Sequence, residues 1–125
     1  MTSRRLVLVL VALGLLAAAS PMTAHHGWQV DRTKVVTLKG TVTDFSFSNP
    51  HVQIYFDVKD ANGDVEKWIA AGGSVTRLSR SGWTRDMLKP GDEITVSGYR
   101  AKNGSMGLFL TTLASAHGKA SAYRN

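Results

Sequence analysis

Between Val35 and Ala114 the apolar residues fall at every second position in five short runs, and helical spacing appears mainly between the third run and the fourth. A period of two is the signature of a half-buried strand, so most of this chain is committed to sheet. In the first run Val36, Leu38, Gly40 and Val42 alternate with Thr37, Lys39, Thr41 and Thr43, and at Asp44 the phase switches to Phe45 and Phe47. A phase switch inside one strand implies a bulge. A glycine in its middle fits a sharply bent strand. The second run is Val52 to Val58, and Asn62-Gly63 supplies the hairpin turn to a third run from Val65 to Ala71. Gly72-Gly73 breaks that strand, Ser74 is a helix N-cap, and Gly82 ends the short helix that follows. Thr84 to Leu88 reads as one more helical turn, and Lys89-Pro90-Gly91-Asp92 as a type II turn. Ile94, Val96 and Gly98 mark a fourth strand, Asn103-Gly104 a second hairpin, and Met106 to Ala114 a fifth strand. The Gly-, Ala- and Ser-rich tail from His117 is expected to fray, with Tyr123 able to add a short strand contact. The order predicts an all-β domain: a small five-stranded OB-like Greek-key barrel with one short helix between strands 3 and 4.

Ahead of this domain, Arg4 and Arg5 precede an unbroken apolar run from Leu6 to Ala19, and Met22-Thr23-Ala24 ends on a small residue. Residues 1–24 read as a cleaved signal peptide, because the run is shorter than the ~20 residues a transmembrane helix needs. Residues 25–34 read as an N-terminal arm pinned by Trp28, and residues 35–125 as the barrel domain. The expected location is the periplasm, with no transmembrane segment after processing. The chain has no cysteine, which excludes disulfides, thiolate metal sites and a lipoprotein anchor. Fifteen Lys and Arg, less the two in the leader, stand against nine acids, a net of +4 for the mature chain. Such a surface favours anionic partners, and the export signal argues against nucleic acid.

Cleavage after Ala24 makes His25 the first mature residue and His26 the second. An N-terminal histidine offers a metal two nitrogens, its α-amine and its imidazole, and the α-amine titrates near neutrality. His51, which follows Pro50 and opens the second strand off the core face, is the best third donor. Tetragonal nitrogen geometry suits Cu(II), with zinc the less favoured ion. An alternative chelate through the amine, the His26 amide and the His26 imidazole needs no fold at all. His117, just past the fifth strand, reads as a surface residue. Met87 and Met106 are soft donors by chemistry and core filler by placement.

No nucleophile elbow, HExxH motif or phosphate-cradling loop occurs, and the aspartates cluster at turns, where backbone reasons place them. Gly72-Gly73-Ser74 reads as a strand-to-helix connection. Trp68, Trp83 and Tyr99 are aromatic candidates for a binding face, with core packing the commoner role for the tryptophans. An exposed aromatic patch at Tyr55 or Tyr99 is expected if the domain binds a partner.

Ala24-His25-His26-Gly27, Lys39-Gly40-Thr41-Val42, Ser48-Asn49-Pro50-His51, Gly82-Trp83-Thr84-Arg85, Leu88-Lys89-Pro90-Gly91-Asp92 and Gly98-Tyr99-Arg100-Ala101-Lys102 occur in this order. With them the chain resembles the bacterial domain of unknown function 6152 family over nearly all of its mature length. Gly27 stands where serine is commoner. The resemblance implies a periplasmic protein with an OB-like barrel and brings no established activity. Its motif positions include the His25-His26 pair and His51. The expected function is a non-catalytic periplasmic module that binds Cu(II) for copper handling or sensing. The alternative is a scaffold that binds a periplasmic protein, glycan or lipid, with incidental metal affinity. A copper oxidoreductase ranks last, since a small barrel leaves little concave surface for a substrate.

Overall fold

The computed structural model describes residues 29–122. The leader, His25, His26, Trp28 and Tyr123 lie outside the described residues. Among the described residues six strands and one helix follow in order: β1 Val30–Ser46, β2 Gln53–Lys59, β3 Val65–Ala71, α1 Val75–Arg80, β4 Glu93–Ala101, β5 Gly107–Ser115 and β6 Gly118–Ser121. Neighbours pair in the order β3-β2-β1-β4-β5-β6, and β3 also pairs with β5 in parallel. The first five strands therefore close into a ring with the OB-like order, and the one helix among the described residues lies between β3 and β4 as the sequence predicts.

The registers show how strongly this ring is staggered. Thr41 meets Asp57 on β2 and Glu93 on β4. Round the other way, Asp57 meets Lys67, four residues short of Ala71, and Ala71 is level with Phe109 and Tyr99. Four residues beyond Tyr99 is position 103, yet Thr41 faces Glu93, ten positions away. So large a stagger tilts and coils the strands. It is met by β1, whose first part pairs with β4 and whose last part pairs with β2. The bulge expected at Asp44 is there, as a register shift between Val42 and Asp44. Gly40 lies just before the change of partner. A Cβ on it would stand 2.4 Å from the Asp57 carbonyl oxygen and 2.8 Å from the Phe56 ring. The backbones approach closely here because the residue lacks a side chain.

Val42, Ile54, Phe56, Trp68, Val96, Leu108, Leu110 and Leu113 point into the ring and are buried. Leu78 of α1, Trp83 and Leu88 extend the same core. With no disulfide in the chain, stability rests on this burial, about 1.5–3 kcal/mol for each fully buried large aliphatic or Phe side chain.

The structure differs from the sequence expectations in three places. β1 starts at Val30, five residues before the alternation begins. Gln29 O accepts the Lys102 N–H at 2.8 Å and Val30 pairs with Ala101, so backbone pairing orders a segment whose side chains show no period. The register shifts between Val30 and Val35, where Asp31 accepts the Thr33 N–H at 3.0 Å. Thr84 to Leu88 forms one turn, Met87 N–H to Thr84 O at 3.3 Å, without becoming a helix. The tail forms β6, paired from Thr112↔Ser121 to Ser115↔Gly118, and Ala122 is buried. Trp83 Nε1–H donates to Ser121 O at 3.0 Å, a tertiary anchor that a Gly- and Ala-rich composition does not announce.

Candidate functional site

His51 sits in the β1–β2 loop, and that loop is tied to the β3–α1 connection by four contacts. Val52 N–H donates to Gly73 O at 2.9 Å, and Gly72 N–H donates to Val52 O at 2.7 Å. Asn49 Oδ1 accepts the Val75 N–H at 3.0 Å, while Ser74 Oγ accepts the Arg77 N–H at 3.2 Å. Two donors at the first turn of α1, which have no partner within the helix, are thus satisfied by one residue of each loop. The Asn49–Pro50 peptide is cis. Val52 is buried, so the loop is held from below.

The fourth contact is from His51 itself, whose Nδ1 lies 3.1 Å from Gly72 O. A carbonyl oxygen only accepts, so Nδ1 carries the hydrogen. In the neutral ring the lone pair is then on Nε2, at the far side of an exposed residue. Backbone orientation of one ring nitrogen is the arrangement by which proteins fix an imidazole for a metal on the other. Among the described residues no three His, Cys, Asp or Glu gather to hold an ion, so His51 supplies one donor here. His25 and His26, its expected partners, lie outside the described residues. His117 is exposed in the β5–β6 turn, its N–H on Ser115 Oγ at 3.2 Å. Met87 packs against the core, and Met106 is exposed on the β4–β5 hairpin.

The aromatic residues divide. Trp68 and Trp83 are core, so neither offers a free face to a partner. Tyr55 is half-buried and donates through its hydroxyl to Gln53 Oε1 at 2.8 Å. Tyr99 is half-buried beneath the Arg32 guanidinium, 5.7 Å from its ring centroid. On the opposite side of β4, Arg100 lies 5.1 Å over Trp68. Sequence reasoning named the aromatics and missed the arginines that cover them.

An open groove of about 670 Å³ is lined by Lys39, Thr41, Asp57, Lys59, Glu93 and Thr95 among others. Asp57 Oδ1 is buried there without a hydrogen bond, its nearest cation being Lys67 Nζ at 3.8 Å. Lys67 is 86% exposed, so this pair is solvent-screened and weak. The pKa of the Asp31 carboxyl is displaced. The Thr33 hydroxyl, then the Thr33 backbone N–H, hold it below the ordinary range, with smaller help from Lys34 and Lys102.

The model of the family of unknown function DUF6152 matches residues 12–109. The chain belongs to that family. The match includes the Ser48–His51 loop and the Gly82–Asp86 segment. No curated protein matches the chain by sequence. Among solved structures it is similar to the crystal structure of TiaS in complex with an isoleucine tRNA and ATP, at 17% identity and a TM-score of 0.45, over 74% of this chain and 20% of that one. The chain thus spans about a fifth of that protein's length. In this DUF6152 member no helix among the described residues is long and apolar enough to cross a membrane.

Proposed function

We propose that this DUF6152 protein is an exported, periplasmic, non-catalytic module that binds Cu(II) for copper handling or sensing. The ligands are the His25 α-amine and imidazole together with His51 Nε2, and His26 stands next to them in the chain. The observation that supports the reading is the Nδ1–H of His51 on Gly72 O, which leaves the lone pair of the neutral ring on Nε2 for a metal. Reach supports it as well. Gln29 lies beside Lys102, the β4–β5 hairpin leads to Met106, Met106 O accepts the Ile69 N–H, and Gly72 is three residues further along the chain. At about 4.8 Å per strand and 3.3 Å per residue, that path is roughly 24 Å along the sheet and roughly 18 Å in a straight line across it. The four residues from His25 to Gln29 span up to about 14 Å, and two imidazole side chains close the remainder. Nitrogen-only donors favour Cu(II) over zinc.

The test is a Cu(II) titration followed by electron paramagnetic resonance on protein shown by mass to begin at His25. Expected is a one-equivalent, nitrogen-rich signal that a methionine-extended form lacks and that His51→Ala alters with a loss of affinity. An unchanged spectrum and affinity in His51→Ala would leave only the fold-independent terminal chelate, and the site proposed here would be wrong.

A further inference from the structure

The start of β1 and the end of β4 bring Arg32, Lys34, Arg100 and Lys102 together. Lys102 N–H bonds Gln29 O, Val30 pairs with Ala101, and Val35 pairs with Tyr99, whose ring Arg32 covers. Lys34 and Lys102 both lie close enough to Asp31 to help lower its pKa. Against these four cations stand Asp31 and, on the Trp68 side, Glu66, whose Oε2 accepts the Trp68 indole N–H at 3.3 Å. Both carboxylates are engaged by neutral donors, Asp31 by Thr33 and Glu66 by Trp68. Each guanidinium carbon instead lies over an aromatic ring, Arg32 5.7 Å from the Tyr99 centroid and Arg100 5.1 Å from the Trp68 centroid. A guanidinium over an aromatic face is attracted to the ring and keeps its charge for an anion. Two of the three large apolar residues that the described fold exposes lie at the same end: Val35, 60% exposed, and Met106, 42% exposed on the hairpin that follows Lys102.

From this juxtaposition we infer that the β1-start and β4–β5 end of the molecule is a docking surface for an anionic phospholipid bilayer. Cations and exposed aliphatic side chains at one end of the fold match a leaflet, which offers many phosphates in a plane and acyl chains just beneath them. A discrete phosphate pocket would need convergent donors at one point, whereas Arg32 and Arg100 lie on opposite sides of β4. The inference is independent of copper.

The test is co-sedimentation of the protein, purified as the cell accumulates it, with vesicles of phosphatidylglycerol and phosphatidylcholine or of phosphatidylcholine alone. Each cation at an anionic surface is worth about 1 kcal/mol, roughly fivefold in partitioning. The pair Arg32→Gln and Lys102→Gln is therefore expected to reduce binding to the anionic vesicles on the order of 30-fold. A control pair with the same loss of net charge, Lys59→Gln and Lys89→Gln, is expected to change it by less than about threefold. Met106→Ser is expected to weaken binding further at high salt, where the apolar contact remains. Circular dichroism of each variant confirms that the fold is retained. Equal losses in both pairs would mean that net charge alone acts, and equal binding to both vesicle types would remove the electrostatic surface. Displacement by inorganic phosphate at matched ionic strength would make this a discrete anion pocket. Any of these three results overturns the inference.

Discussion

Gly40→Ala is the sharpest probe of how the ring closes. The added Cβ would sit 2.4 Å from the Asp57 carbonyl oxygen, 2.8 Å from a Phe56 ring carbon and 3.2 Å from the Asp57 carbonyl carbon. Two of these contacts are with backbone, so no rotamer change relieves them. Bringing the first to 3.0 Å needs a displacement of about 0.6 Å in close-packed surroundings, an overpacking cost of about 1–3 kcal/mol. The strain falls beside Thr41↔Asp57, where β1 passes from β4 to β2. Loosening one ladder hydrogen bond there adds about 0.5–1.5 kcal/mol. Alanine returns about 0.5–1 kcal/mol because it is better suited to a strand than glycine. The net expectation is a loss of about 2–3 kcal/mol, or about 10–20 °C in Tm for a domain of this size. Gly104→Ala is the comparison: φ is +78° and nothing lies within 4 Å, so only the left-handed conformation resists, at about 1–2 kcal/mol. Thermal and urea unfolding followed by circular dichroism would measure both. A Gly40→Ala protein within about 0.5 kcal/mol of wild type, inside the range of ordinary surface changes, would refute the reasoning.

Two further expectations concern the residues around the candidate sites. Asn49→Ala removes the acceptor of the Val75 N–H and should cost about 1 kcal/mol, read as a fall of about 4–8 °C in Tm, because a helix-start donor loses its partner. The Asp31 carboxyl, followed by NMR, should titrate below the ordinary carboxylate range, and Thr33→Val should raise its midpoint by removing the hydroxyl that contributes most. A lowered folded pKa means that its stabilisation is present above the unfolded value and fades as pH falls through the folded one. An Asp31 titration unaffected by Thr33→Val would show that the hydroxyl is not the cause.

Most of the strand positions along the chain were legible in the sequence, because each apolar alternation is a local property of the chain and survives any tertiary arrangement. The sequence carried the β1 bulge in the phase switch at Asp44, the bend in the mid-strand Gly40, and the helix start in Ser74. It carried His51 as an accessible imidazole, since Val52 and Ile54 claim the opposite face of the strand. What it held no sign of lies between residues far apart in the chain. The Gly72 carbonyl that orients His51 is 21 residues away, and the Asn49 side chain caps a helix 26 residues on. Val30–Lys34 and Gly118–Ser121 are strands because Ala101, Thr112 and Trp83 offer them partners, not because their own residues favour sheet. The gathering of Arg32, Lys34, Arg100 and Lys102 at one end has the same origin. Periodicity reports which face of an element is buried, whereas the register between distant strands decides which side chains meet, and register is fixed only when the ring closes.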